Sequence, residues 1–387
     1  MPVDTGKTAA PLEFRNVTKR YEGTDAAAIK DLSFVVPAGE VCVLVGPSGC
    51  GKTTAMRLVN RMIDMTGGEI LIDGKSISGR SPADLRREIG YVIQHVGLFP
   101  HLNVANNIGT VPRLLGWDRK RIASRSAELL ELVGLPAEMG KRYPSQLSGG
   151  QRQRVGVARA LAADPPLMLM DEPFGAIDPI NRDRLQNEFL RLQREIKKTV
   201  VFVTHDIDEG IKMGDRIAIL REGGELVQYD TPDAILANPA DEFVARFVGA
   251  DRGLKRLALT NLEQVDLDEV TCVREGETIS PGTWVDNDIV VVVDGERKPI
   301  GEMTRDVSSD SAVTLGSARP VGASIPITAS LRDALSLMMT ESIRPLLVLD
   351  GEGRVAGWVS IDQINKAVRQ VPNESAAIDA AGIDLDK

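Results

Sequence analysis

Aromatic residues make up only 4% of the 387-residue sequence, and cysteine and histidine number three each. Cys42, Cys50 and Cys272 form neither a CxxC pair nor a disulfide framework. His95, His101 and His205 do not join them at zinc-binding spacing, which excludes a zinc finger. So few aromatics also argue against a platform for stacked nucleic-acid bases. Long apolar stretches are missing too. The longest purely aliphatic run, Ile289 to Val293, is far short of the ~20 residues of a membrane span. The start, MPVDTGKTAAPLEF, has no apolar segment of a secretory signal. A cytoplasmic location is therefore expected, with any membrane contact made through partners.

The length suggests two or three domains. The net charge of -9 is unevenly spread. Residues 1–250 carry 32 basic and 32 acidic side chains, whereas residues 251–387 carry 14 and 23. That shift marks a boundary near Ala250, and the acid excess argues against nucleic acid as a partner. Before the boundary the pattern is α/β. Val41–Val45, Leu167–Met170 and Val200–Val203 are continuous apolar runs of four or five residues, as in buried parallel strands. Charged helical stretches such as 183–197 lie between them, which predicts a parallel sheet with crossover helices. After the boundary, residues 331–341 read as a helix, 345–350 and 355–360 as strands around a Gly351-Glu-Gly353 turn, and 361–369 as a helix. The same order recurs weakly about 57 residues earlier, at 289–306, as an internal repeat with one damaged copy. The tail, 371–387, is expected to be disordered.

Gly46, Pro47, Ser48, Gly49, Cys50, Gly51, Lys52 and Thr53 fit G-x-x-x-x-G-K-[ST], with an apolar strand before and a helical stretch, 54–61, after. Such glycines let backbone N–H groups close around phosphate oxygens, and the helix N-terminus adds a favourable dipole. Lys52 can then reach the β- and γ-phosphates and Thr53 can put its hydroxyl on Mg²⁺, with Thr54 completing the phosphate-binding set. Asp171 and Glu172 end the apolar run 167–170. Asp171 is the metal-side acid, and Glu172 the general base that polarises the attacking water.

Further motifs resemble those of ATP-binding cassette (ABC) ATPases over residues 12–250. Leu147-Ser-Gly-Gly-Gln-Arg-Gln-Arg154 is similar to the family's signature, and Ser148 lies 23 positions before Asp171. His205 follows Asp171 by 34 positions, and Gln94 stands between the phosphate loop and the signature. The resemblance implies a P-loop NTPase fold, a mixed-sheet core with a helical subdomain at about 95–160, binding ATP and Mg²⁺. It implies that Tyr21 stacks on adenine, that Gln94 joins Thr53 and Asp171 at Mg²⁺, and that His205 contacts the γ-phosphate. Asp178 matches the D-loop acid and is grouped with Glu172, His205 and Gln94 as catalytic; the usual serine of that loop is Gly175 here. Ser148, Gly149, Gly150 and Gln151 would bind the ATP held by a second copy, giving a head-to-tail homodimer in the ATP-bound state.

One cassette without a membrane span resembles an importer subunit made apart from its integral-membrane permease and lying on the inner face of the membrane. In such a scheme the solute meets a substrate-binding protein and the permease, never this chain. Gln94-His-Val-Gly-Leu-Phe-Pro-His101 and Leu114-Leu-Gly-Trp117 resemble the subfamily that imports glycine betaine, choline, carnitine and proline betaine. An importer ATPase for another small solute, such as an amino acid, is the alternative, and a soluble ABC ATPase acting on ribosome or DNA a remote one. Residues 321–370 resemble a cystathionine-β-synthase (CBS) module, α+β in class and regulatory in its relatives, and 251–320 a degenerate first copy. That copy has Ile279-Ser-Pro-Gly-Thr-Trp284 where helix residues belong. Nucleotide-binding modules often show Gly-x-x-[ST]-x-x-Asp, but here Gln363 follows Ser360 by three and the acid is Asp362. Nucleotide binding, a response to ionic strength and simple dimer packing all stay open for this region. Residues 1–11 are read as an N-terminal tail.

Overall fold

The computed structural model of the chain describes residues 8–24, 26–93, 97–175, 177–275, 277, 289–304, 318–342 and 345–369. The readings made for Gln94 and His95, for residues 279–284 and for the 371–387 tail lie outside them. Two compact units divide the chain, Met1–Gly249 and Ala250–Lys387.

Among its described residues the first unit holds ten strands: β1 (Leu12–Arg20), β2 (Ala27–Val36), β3 (Val41–Val45), β4 (Gly67–Ile72), β5 (Lys75–Ser76), β6 (Ile89–Val92), β7 (Leu167–Asp171), β8 (Thr199–Val203), β9 (Arg216–Arg221) and β10 (Glu225–Asp230). Six form a sheet ordered β10-β9-β3-β8-β7-β6. Its four pairings from β9 to β6 are parallel, and β10 is an antiparallel edge. Every residue of β3 and β8 is buried, as strands covered on both faces must be. The other four form an antiparallel sheet, β2-β1-β4-β5. There Leu12, Phe14 and Val17 turn inward while Glu13, Arg15 and Asn16 stay out, and Phe14 stacks on Phe34 at 4.6 Å. The inward faces close one core with Met56 and Leu58 of the helix Lys52–Val59. Ala10 is buried and donates to the Pro166 carbonyl at 3.3 Å, so the chain is already tied down before β1, inside the stretch read as a tail.

The fold class expected from the sequence is the one observed. Helices Val104–Ile108, Thr110–Leu114, Arg119–Leu132 and Gly149–Leu161 lie between β6 and β7. Asn107, fully buried, fixes the entry to this helical region: its amide donates to the carbonyls of Phe99, Leu102 and Asn103 and accepts from the Phe99 N–H. A second buried polar anchor joins helix Pro179–Ile196 to helix Ile207–Met213, where Gln186 Nε2 donates to Glu209 Oε1 at 2.9 Å. Burial raises the Glu209 carboxyl above its ordinary value, against the hydrogen bonds from Thr204 and Gln186.

Among the described residues the second unit contains two three-stranded sheets, β11 (Cys272–Arg274), β12 (Ile289–Val293) and β13 (Pro299–Thr304), then β14 (Ser324–Pro326), β15 (Leu346–Leu349) and β16 (Val355–Val359). In each, the first pairing is parallel and the second antiparallel. The turn of each hairpin is held by the same device. Asp294 accepts from the N–H groups of Glu296 and Lys298, and Asp350, 56 positions later, from those of Glu352 and Arg354. The sheets meet face to face through Val291 and Val293 against Leu347, Val355 and Trp358.

The chain crosses between the two halves. Asp268, which precedes β11, exchanges two backbone hydrogen bonds of 2.9 Å with Trp358 of β16. Arg319, which precedes β14, exchanges two of 2.9 Å with Glu302 of β13. Leu257 and Leu262 pack with Leu331, Ala334 and Met338 in the later core. Residues 252–268, assigned above to the first CBS-like copy, thus complete the second. Their apolar side chains read equally well as part of either, because sequence pattern carries no partner information.

Both crossings need glycine. A Cβ on Gly357 would lie 2.6 Å from Leu267 Cβ, and one on Gly301 2.7 Å from Ala318 Cβ. Gly357→Ala and Gly301→Ala are expected to destabilise the second unit by about 1–3 kcal/mol in urea unfolding of the full chain, as overpacking does. Gly295→Ala, with open space around it, should stay within about 0.5 kcal/mol of wild type. A second expectation concerns pH. Because its folded value is raised, Glu209 holds its proton more tightly in the folded than in the unfolded chain, and its contribution to stability falls as pH rises from the ordinary glutamate value of 4.5. Glu209→Gln removes that dependence. Its stability relative to wild type should climb between pH 4 and pH 8, and a fall would contradict the burial argument.

Candidate active site

From the end of β3 the chain turns through Gly46–Gly51 into helix Lys52–Val59. Gly46, Gly49 and Gly51 have φ of 152°, 84° and 99°. The turn is tight at both ends. A Cβ on Gly46 would lie 2.2 Å from the Leu220 carbonyl oxygen, and one on Gly51 2.4 Å from that of Ala28. Pro47, Ser48 and Cys50 complete the turn, and Gly49 at its tip faces open space. Gly51 is the helix N-cap and lends no side chain to the first N–H groups, which leaves them to an anion. Lys52 is 7% exposed, and its ammonium donates to the carbonyls of Gly46 at 2.7 Å and Pro47 at 3.0 Å. The cradle thus presents N–H donors and a cation to one point, with Thr53 and Thr54 in the first helical turn, and it suits a polyphosphate.

β7 delivers two carboxylates beside it. Asp171 accepts a hydrogen bond from the Thr53 side chain. Burial, and after it the charge of Glu172, push the Asp171 carboxyl above its ordinary value, while Arg57 and Lys52 pull it down. Arg57, on the same helix as Thr53, was not singled out from the sequence; its place one turn on was the available signal. Asp171 and the Thr53 hydroxyl form a hard oxygen pair of the kind magnesium takes alongside phosphate oxygens. Among the described residues no three His, Cys, Asp or Glu side chains gather into a metal cage. Gln94 lies outside the described residues.

Glu172 leaves the strand. Its N–H still donates to Val203 at 2.9 Å, but its φ is 43°, in the left-handed region that side chains other than glycine avoid. That turn carries its carboxylate toward His205, just beyond β8, with Oε1 to Nδ1 at 3.1 Å. Tyr21 follows β1, whose Arg20 pairs with Ala27 of β2, next to the Ala28 that touches Gly51. Its ring is exposed, with the Lys19 ammonium 5.2 Å from the centroid.

The remaining predicted residues gather elsewhere. Ser148 caps helix Gly149–Leu161 in a reciprocal box: its hydroxyl accepts from Gln151 N–H at 3.3 Å, and Gln151 Oε1 accepts from Ser148 N–H at 3.0 Å. Ser148, Gly149, Gly150 and Gln151 line one side of a cleft of about 560 Å³, and Asp178 and Asn181 line the other. Asp178 was grouped above with the catalytic residues. It lies here instead, capping helix Pro179–Ile196 and accepting from Asn181 N–H at 3.1 Å and Nδ2 at 2.9 Å. Lys52, Asp171, Glu172 and His205 do not line this cleft. Arg159, on the signature helix, donates to Gly97 at 2.6 Å and so ties that helix to the chain just past Gln94.

The ABC transporter family model matches residues 29–175, and the CBS domain model residues 300–370. The osmoprotectant import ATP-binding protein OsmV of Salmonella typhimurium is 45% identical over 91% of this chain and 95% of its own. The glycine betaine/carnitine/choline transport ATP-binding protein OpuCA of Bacillus subtilis is 43% identical over 90% and 94%. A dimeric ATP-binding cassette solved in a post-hydrolysis state with ADP and Pi superposes with a TM-score of 0.51 at 33% identity, over 57% of this chain and 98% of that one. Among the described residues no helix is long and apolar enough to cross a membrane. The chain belongs to the ABC transporter family, as an ATP-binding cassette protein that carries a CBS domain after its cassette.

Proposed function

We propose that this chain hydrolyses ATP to drive import of a quaternary-amine osmoprotectant (glycine betaine, choline, carnitine or proline betaine) through a separate membrane permease. The observation that carries the hydrolytic reading is the Glu172 carboxylate, turned out of β7 at a positive φ and set 3.1 Å from His205, one residue past the Asp171–Thr53 pair. Lys52 and the loop N–H groups hold the β- and γ-phosphates, and Tyr21 offers its exposed ring to adenine. Thr53 and Asp171, with Gln94, would hold Mg²⁺, which when bound neutralises charge on the phosphate oxygens. Glu172 takes a proton from the attacking water as its oxygen bonds to the γ-phosphorus. The bond to the β-phosphate oxygen breaks, leaving ADP and phosphate. His205 keeps Glu172 in line through Nδ1 and turns Nε2 to the γ-phosphate.

The separation of Ser148–Gln151 and Asp178 from Lys52 supports a homodimer, each copy lending its signature to the ATP held by the other. A hydroxyl can accept two hydrogen bonds and donate one, so Ser148 can cap its helix and still donate to a phosphate oxygen. The solved relative is likewise described as dimeric. Exposed Phe99, Leu114 and Leu115 in the helical region support a permease contact. The solute class rests on the names of the relatives, and in this scheme the solute and its binding protein never touch this chain. The place assigned is peripheral, on the inner face of the membrane, with residues 12–250 as the ATPase domain and 251–370 as paired CBS modules.

Glu172→Gln should slow ATP hydrolysis about 10²–10⁴-fold, the range for a lost general base, while ATP binding persists and an ATP-bound dimer accumulates on gel filtration. A monomer under those conditions at high protein would contradict the sandwich. Chelation of divalent metal should abolish wild-type hydrolysis. In source cells at raised osmolarity, the same substitution should abolish uptake of radiolabelled glycine betaine or choline. Unchanged uptake of both, with the purified wild type still hydrolysing ATP, would point to another solute.

A further inference from the structure

A second cleft lies away from the phosphate loop, between the signature helix Gly149–Leu161, the end of helix Arg119–Leu132 and helix Pro179–Ile196. Its volume is about 280 Å³. Leu132, Val157, Phe174, Leu185, Phe189 and Leu192 give it apolar walls. Its polar lining is lopsided, with the guanidinium groups of Arg154, Arg184 and Arg191 against the single carboxylate of Glu188. Glu188 is already engaged, by Arg154 Nη2 at 2.8 Å and Arg184 Nε at 3.1 Å.

Two donors in this lining are buried without an acceptor among the described residues, Gln153 Nε2 and Arg154 Nε. Gln153 is 3% exposed. A buried donor left unpaired is costly, and most such groups in folded proteins have partners. Unpaired donors, a surplus of positive charge and apolar walls together specify the missing partner: oxygen acceptors with negative charge on a short apolar body. We infer that this cleft is a binding site for a small amphipathic carboxylate, its head held by Gln153 and Arg154 and its body lying among Val157, Phe174 and Phe189. The ligand touches both the helix capped by Ser148 and the helix capped by Asp178. It therefore bears on their spacing from beside the signature cleft, with which this cleft shares Arg154, Arg184 and Leu185.

The probe is radiolabelled decanoate, in equilibrium dialysis against the full-length chain. Binding should saturate at one molecule per chain and be displaced by unlabelled decanoate but not by decyltrimethylammonium. Gln153→Leu should weaken it about tenfold, the loss of one hydrogen bond to a charged group. Val157→Trp, which fills the cleft, should abolish it while ATP still binds. Absence of saturable binding, equal displacement by the ammonium, or wild-type affinity in Gln153→Leu would each overturn the assignment. Should Val157→Trp fail to fold, the near-isosteric Gln153→Leu still decides.

Discussion

A lysine ammonium withdrawn from water must be given oxygen atoms, and Lys52 finds them in the loop that precedes it. The carbonyls of Gly46 and Pro47 can face it only because the loop doubles back, and the doubling back needs left-handed conformations at Gly49 and Gly51. The same turn brings the loop against two carbonyls from different sheets, Leu220 of β9 beside Gly46 and Ala28 of β2 beside Gly51. The loop is thus where the six-stranded and the antiparallel sheets meet. Full burial of β3 follows, since a strand that feeds such a loop has neighbours on both sides and both faces.

What could be read from the sequence was local. The runs at 41–45, 167–170 and 200–203 are buried parallel strands, and a strand covered on both faces takes apolar side chains at every position. The phosphate loop and the acids at 171 and 172 are legible because their geometry comes from neighbours in the chain. The helix predicted at 54–61 begins at Lys52, since Gly51 already serves as its cap, and the one predicted at 183–197 begins at Pro179, behind Asp178. The antiparallel sheet escaped notice because β1 and β2 mix Glu13, Arg15, Lys30 and Asp31 with apolar residues and slip register along their length. Pairings across distance were not legible at all. Gln186 and Glu209 are 23 positions apart on helices whose polar residues read as solvent-facing, and nothing local marks them as buried together.

Placement separated residues that the motif had grouped. Glu172 and His205 stand with Lys52, whereas Asp178 stands with Ser148 and Gln151. Chain order gives no hint of this, because Asp178 follows Glu172 by only six positions. The separation arises from the positive φ at Glu172, which turns its carboxylate to β8, while the chain runs on to start a new helix at Asp178.

The exchange of segments in the second unit bears on how such a chain can be divided or inherited. Asp268 closes the edge of β16 and Arg319 that of β13, while Leu257 and Leu262 fill the later core. A break between the halves leaves the later sheet without its closing segment and strips the earlier one of its own. A recombination event that moved one module would carry an open edge strand and a hole in a core to its new host, where exposed edges pair indiscriminately. The pair therefore travels as a block, and the smallest portable piece begins near residue 252, well before the first recognisable strand of the repeat.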